Sequence, residues 1–80
     1  MKLPRNLSAA DLANALGRLG YAPTRQTGSH LRLTTQRGGE HHVTVPQHRP
    51  LKVGTLNGIL KDVAAHMGLS RAELLEKLFR

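Results

Sequence analysis

The stretch HLRLTTQRGGEHHVTV, His30 to Val45, decides the fold. Its first seven residues alternate, with Leu31, Leu33 and Thr35 on one side of an extended chain and His30, Arg32, Thr34 and Gln36 on the other. Arg37-Gly38-Gly39-Glu40 supplies a Gly-Gly hairpin turn. The return segment, HHVTV, puts Val43 and Val45 on one face and His42 and Thr44 on the other. Strand side chains alternate with period two, so the Leu and Val sides must share the core. His30, Arg32, Thr34, His42 and Thr44 then face outward together, giving a sheet with one covered face and one wet, basic, histidine-bearing face.

The flanking segments read as one further strand and three helices. Residues 21–27 form a weak first strand, where Pro23 is tolerable only near an edge or a strand start. Upstream, Ser8 with Asp11 is a short capping box, and Leu7 and Leu12 have hydrophobic-staple spacing. Leu12, Leu16 and Leu19 form a helical stripe that stops at Gly20, which predicts a helix over residues 9–19. Downstream, PQHRPLKVG is a loop punctuated by Pro46 and Pro50. A second helix is predicted from Thr55 to Met67, with Leu56, Ile59, Leu60, Val63 and Met67 buried and Gly68 as its stop. Ser70 and Glu73 repeat the capping signal before a third helix whose apolar face is Leu74, Leu75, Leu78 and Phe79. The order α-β-β-β-α-α makes an α+β fold, with helices on one face of a three-stranded antiparallel sheet.

Composition narrows the function classes. The 80 residues read as a single domain over 1–80, near the lower size at which one core suffices. There is no cysteine, so neither disulfides nor thiolate metal sites contribute. No apolar run approaches the ~20 residues that span a bilayer. MKLPRNLS lacks the apolar centre of a secretory signal, and the expected compartment is the cytoplasm. The formal net charge of +7 calls for a polyanionic partner. Residues 25–52 carry most of it, with Arg25, Arg32, Arg37, Arg49 and Lys52 against Glu40, and they also hold His30, His41, His42 and His48.

Within that segment RQTGSHLRL places an imidazole directly after a Gly-Ser turn. The plain reading of His30 is a polar residue on the solvated face of a strand. Against it, Gly28 permits close backbone approach or a positive φ, and Arg25, Arg32 and His42 are positioned to converge around the ring. An imidazole titrates near ~6.5 and can accept and return a proton at neutral pH. A histidine beside arginines suits RNA cleavage: it takes the 2′-hydroxyl proton while the cations stabilise charge building on the phosphate.

Other constellations are weaker. His41 and His42 are adjacent on a strand and point to opposite faces, so they do not share an ion. His30, His42 and His48 converge only in principle, and the acids lie mostly in the helices, which disfavours a two-metal nuclease. No metal or other cofactor is expected. His41 reads as a strand-start residue near the core edge, and His66 as a surface residue near a helix C-terminus. Ser29 reads as pointing away from His30, with no acid to complete a nucleophilic triad. VAAHMGLSRAELL has helix-turn-helix spacing, but the third helix would present Glu73 and Glu76 to phosphates. Direct DNA binding by this chain alone is therefore not expected, and the mixed charge of the helices also argues against a membrane-surface helix.

The blocks KLPRNLS, LGY, RQTGSH, HHVTVPQH, LKVGTLNGILKDV and GLSRAELLEKL, in that order from Lys2 to Leu78, resemble the HicA toxins, also called YcfA-like proteins. The Gly-Ser-His block followed by the Gly-Thr-Leu block is the most specific part. The resemblance implies a double-stranded-RNA-binding-domain-like fold, ribosome-independent mRNA interferase activity and neutralisation by a HicB-type antitoxin. It places the family's catalytic histidine on His30. The strand after it carries Leu31 and Leu33 where members often have an aromatic, and the third helix extends a pattern that often ends after the second. The expected RNA-binding set is Arg25, Gly28, Ser29, Arg32, His42, Arg49, Lys52 and Lys61. The alternatives are a non-catalytic RNA-binding module and, behind it, a helix-turn-helix DNA-binding protein.

Overall fold

The computed structural model describes residues 3–80. Helix α1 (Ala9–Gly17) starts on a complete capping box. The Asp11 N–H donates to Ser8 Oγ at 3.1 Å, and the Ser8 N–H donates to the Asp11 carboxylate at 3.0 Å. The staple residues Leu7 and Leu12 are both buried. The helix ends two residues before its expected limit because its last turn tightens. Arg18, Leu19 and Gly20 donate to the carbonyls three residues back rather than four. Leu19 is buried all the same.

The sheet follows, with strands β1 (Ala22–Gln26), β2 (His30–Thr35) and β3 (His41–Pro46) in the order β1-β2-β3, each pair antiparallel. Leu31 lies opposite Val45 and Leu33 opposite Val43, so the apolar halves share one face. His30 lies opposite Pro46, Arg32 opposite Thr44 and Thr34 opposite His42 on the other face. The turn between β2 and β3 holds Gly38 and Gly39 at φ 73° and 102°, a region where side chains are strained. Strand β1 is exposed along its whole length, as an edge strand carrying a proline has to be.

Helix α2 (Val53–Met67) begins two residues earlier than the apolar pattern indicates. Lys52 occupies its N-cap in an extended conformation without a side-chain capping bond, and the Leu56 N–H donates to the Lys52 carbonyl at 2.9 Å. Helix α3 (Arg71–Phe79) repeats the box of α1 with Ser70 and Glu73. The core joins Leu31, Leu33, Val43 and Val45 of the sheet to Leu12, Leu16, Leu56, Leu60 and Val63 of the first two helices. Leu74, Leu75 and Leu78 of α3 complete it by packing across α1 and α2. Those contacts make α2 and α3 a helical hairpin that closes the core. Among the described residues no helix is long and apolar enough to cross a membrane.

One expectation is corrected at the turn end of the sheet. His66 is half-buried rather than a free surface residue: its ring stacks on His41 at 4.3 Å, and its Nε2–H donates to the Arg37 carbonyl at 3.0 Å. His41 bridges Tyr21 Oη at 2.7 Å and Asp62 Oδ1 at 3.2 Å, at the core edge. Burial, assisted by the Asp62 charge, pushes the Tyr21 phenol up to about 12. The β2–β3 turn is thus clamped to α2 by two imidazoles.

The caps set an acid limit on the fold. Asp11 and Glu73 are held below their ordinary values of 3.8 and 4.5, first by the backbone N–H and then by the hydroxyl of the capping serine. A carboxylate whose pKa is lower folded than unfolded adds stability that is fully present above the unfolded value and lost as pH falls through the folded one. The melting temperature should therefore decline as pH drops below the ordinary carboxylate range. A Asp11→Asn/Glu73→Gln double variant should show a shallower decline. Equal declines in both proteins would remove the caps from the explanation.

Candidate functional site

His30 opens β2 with its side chain exposed on the outer face of the sheet. Thr27 fixes its backbone: the His30 N–H donates to Thr27 Oγ1 at 3.1 Å, and the Thr27 N–H donates to the His30 carbonyl at 2.9 Å. Ser29 Oγ lies 2.9 Å from His30 Nδ1. This corrects the expectation that Ser29 points away from the ring. Residues 27–30 form a turn, and period-two alternation does not extend back past the first residue of β2. No carboxylate is among the ring's hydrogen-bond partners, so the pair is not a nucleophilic triad.

Gly28 also differs from expectation. It does not lie at positive φ, and a Cβ built on it would meet nothing within 4 Å. Neither backbone freedom nor a close contact within the chain accounts for the glycine.

Arg25 reaches the outer face through an irregularity. Ala22 pairs with Thr34 and Pro23 with Leu33, but the register then shifts, and Arg25 rather than Thr24 pairs with Arg32. Without the shift Arg25 would sit opposite Leu31, on the side of the core. The extra residue, Thr24, is held by Thr34 Oγ1 at 2.8 Å. Bulges of this kind re-aim side chains and are frequent beside functional sites. Arg25 and Arg32 are now paired across the two strands, two residues along β2 from His30, or roughly 6.6 Å at the backbone.

The expected convergence of His42 on His30 does not occur. His42 pairs with Thr34, four residues along β2 from His30, or roughly 13 Å away. It belongs to a polar cluster at the turn end, where Nδ1 meets Thr34 Oγ1 at 2.7 Å and Nε2 meets Glu40 Oε2 at 2.9 Å. Gln36 adds a longer bond to Glu40 Oε1 at 3.4 Å. The His42 hydrogen bond first, then that of Gln36, holds the Glu40 carboxyl below the usual range. Arg25, Arg32 and this cluster line one open depression of about 510 Å³.

The remaining residues lie elsewhere. Gln47 donates its N–H to the Ser29 carbonyl at 2.8 Å, which ties the β3–α2 loop to the His30 turn. His48 and Arg49 follow along the α1 N-terminus, where the Ala9 N–H donates to the His48 carbonyl and Arg49 acts on Asp11. Lys52 is exposed at the start of α2. Lys61 is on the helical side, in a groove between α2 and α3 with Asn57, Leu69 and Arg71. The outer face thus gathers Arg25, His30, Arg32 and His42, with Gly28 and Ser29 at its rim, and it does not include Lys61. Among the described residues no three His, Asp or Glu side chains group so as to hold a metal. Sequence reasoning missed Thr27, whose hydroxyl before Gly-Ser is an ordinary turn signal. It also missed the cluster around Glu40, which combines contacts within the hairpin with the cross-strand pairing of Thr34 and His42.

The class of protein is a small α+β domain with an exposed histidine and two arginines on one open sheet face. A family model described as the HicA toxin of bacterial toxin–antitoxin systems matches residues 9–64, from the start of α1 into α2. The chain belongs to the HicA toxin family and is a toxin of a toxin–antitoxin system. Comparison with curated proteins and with solved structures gives no match.

The Gly28 geometry gives a direct test by thermal melting. Gly28→Ala should change stability by no more than ~0.5 kcal/mol, the usual range for an unconstrained surface site. Gly38→Ala, at φ 73°, should cost about 1–2 kcal/mol, since a side chain is strained there. Equal losses would contradict the turn conformations described.

Proposed function

We propose that the protein is a metal-independent endoribonuclease that cleaves mRNA, with His30 as its acid–base group, and that a HicB-type antitoxin neutralises it. Members of the family are generally RNase-type toxins. The observation that carries the reading is the orientation of His30: the ring is exposed on a fixed strand, with Ser29 Oγ on Nδ1 and the Arg25–Arg32 pair two residues along the same face. When Ser29 Oγ accepts from Nδ1–H, Nε2 is left with its lone pair toward the solvent.

The chemistry follows from that tautomer. Nε2 takes the 2′-hydroxyl proton, and the 2′-oxygen attacks the adjacent phosphorus. The P–O5′ bond breaks, and the leaving oxygen is protonated by the imidazolium or by water. The products are a 2′,3′-cyclic phosphate and a 5′-hydroxyl. Arg25 and Arg32 stabilise the charge that develops on the non-bridging oxygens. Gly28 and Ser29 lie where the RNA backbone passes His30, and Arg49 and Lys52 extend the basic track past the loop. On this reading Lys61 contributes through long-range charge alone. The antitoxin acts most simply by covering the same face with acidic and apolar groups.

Purified protein incubated with mRNA in EDTA tests the reading. Cleavage should persist, and His30→Ala should lower it by roughly 10²–10⁴, the usual range for loss of an acid–base group. The ring's single hydrogen bond is at the surface, so stability should move by no more than ~0.5 kcal/mol. Arg25→Ala and Arg32→Ala should each flatten the salt dependence of RNA affinity by roughly 0.7 in log–log slope. Unchanged cleavage in His30→Ala would falsify the catalytic assignment.

A further inference from the structure

Glu40 is the only acidic residue between Arg25 and Lys52, and it sits on the face proposed to meet phosphates. A carboxylate there repels a polyanion, so its presence calls for a compensating role. It lies in the same open depression, of about 510 Å³, as Arg25 and Arg32.

The carboxylate is oriented but not used up. Oε2 accepts from His42 Nε2–H at 2.9 Å and Oε1 from the Gln36 amide at 3.4 Å. Each oxygen keeps a second lone pair, and the side chain is 61% exposed. Behind it, Thr34 Oγ1 holds His42 Nδ1 at 2.7 Å, and Thr24 Oγ1 holds Thr34 at 2.8 Å. The His42 hydrogen bond first, then that of Gln36, holds its carboxyl below the usual range.

Two fixed acceptors select among the RNA bases. Guanine presents two adjacent donors, N1–H and the N2 amine, and a carboxylate accepts from both. Adenine and cytosine place a donor beside a ring nitrogen whose lone pair would face the carboxylate. Uracil has one N–H between two carbonyls. The Gln36 amide has a second N–H to offer guanine O6.

Resting on the reading of this face as an RNA-cleaving surface, we propose that Glu40, held by His42 and Gln36, reads a guanine base of single-stranded substrate. Arg25 and Arg32 hold the phosphates between that base and His30. The cluster is roughly 13 Å along the sheet from His30, so the guanine lies at a fixed offset from the scissile phosphate rather than next to it.

Binding separates this proposal from the catalytic one. His30→Ala protein is titrated by fluorescence anisotropy with oligoribonucleotides that differ at one position, carrying guanine, inosine, adenine, cytosine or uracil. The guanine oligonucleotide should bind about tenfold tighter than the last three, consistent with a two-bond base contact. Inosine, which lacks the N2 amine, should fall between. Adding Glu40→Gln should erase the order without weakening the poorest binder. Equal affinities, or a guanine preference that survives Glu40→Gln, overturn this proposal whether or not the native protein cleaves RNA. A Glu40-dependent preference in a protein that never cleaves RNA upholds the base reader and overturns the nuclease reading. Failure of every oligonucleotide to bind overturns both.

Discussion

Strand β2 is hydrogen-bonded on both edges, and the arrangement of the molecule follows from that constraint. A central strand has its two faces assigned once its register is set, because neighbours on both sides resist slippage. Leu31, Leu33 and Thr35 are committed to the helices, and Thr35, only 1% exposed, closes the end by donating to the Leu19 carbonyl. His30 and Arg32 are committed to the opposite face, where no helix follows. What makes the inner face a core also makes the outer face available to a partner. The same register sets the Arg25–Arg32 pair side by side. Like charges directly opposite on adjacent strands are unfavourable, and among the described residues neither guanidinium forms a salt bridge, although Arg32 acts on Glu40 at longer range. An anion on this face relieves that repulsion.

The parts of this arrangement that were legible in the sequence are those governed by local rules. Both capping boxes were readable because a serine and an acid three residues apart satisfy backbone groups within one turn. The faces of β2 and β3 were readable because alternation needs no tertiary information. Arg25 was different, since plain counting along β1 from its pairing with β2 would turn it toward the core, and only the bulge at Thr24 brings it beside Arg32. Ser29 was misassigned because strand periodicity was extended into a turn. His66 was misread because its partners, His41 and the Arg37 carbonyl, are 25 and 29 residues away in sequence. Lys61 was grouped with the site by charge, although helix α2 carries it to the other side of the molecule.

Helix α3 lies beyond the span matched to the family, yet the fold uses it fully. Leu74 and Leu78 are 0% and 1% exposed, and Leu75 is buried beside them. Burying a leucine contributes about 1.5–3 kcal/mol, so these three represent a large share of the stability a small domain has. Arg18 Nη1 also donates to the Arg80 carbonyl at 2.6 Å, joining the end of α1 to the end of α3. Helix α3 packs on α1 and α2 and leaves the outer sheet face untouched, so it adds to the core without touching the site.

The geometry also bears on how such a toxin can be restrained. His30 is exposed, and the Arg25–Arg32 pair is roughly 6.6 Å from it at the backbone along the strand. On the reading proposed above, a partner that covers this face to neutralise those arginines also covers the imidazole, so charge pairing and steric exclusion go together. Substrate and antitoxin then compete for one set of cations. An antitoxin with carboxylates fixed on a folded surface has an advantage over flexible RNA, because less conformational entropy is lost on binding. Binding to the folded chain alone also stabilises it in proportion to the logarithm of partner concentration over Kd. On that reading, the cations of the outer face are the groups through which the partner would stabilise the chain in the restrained complex.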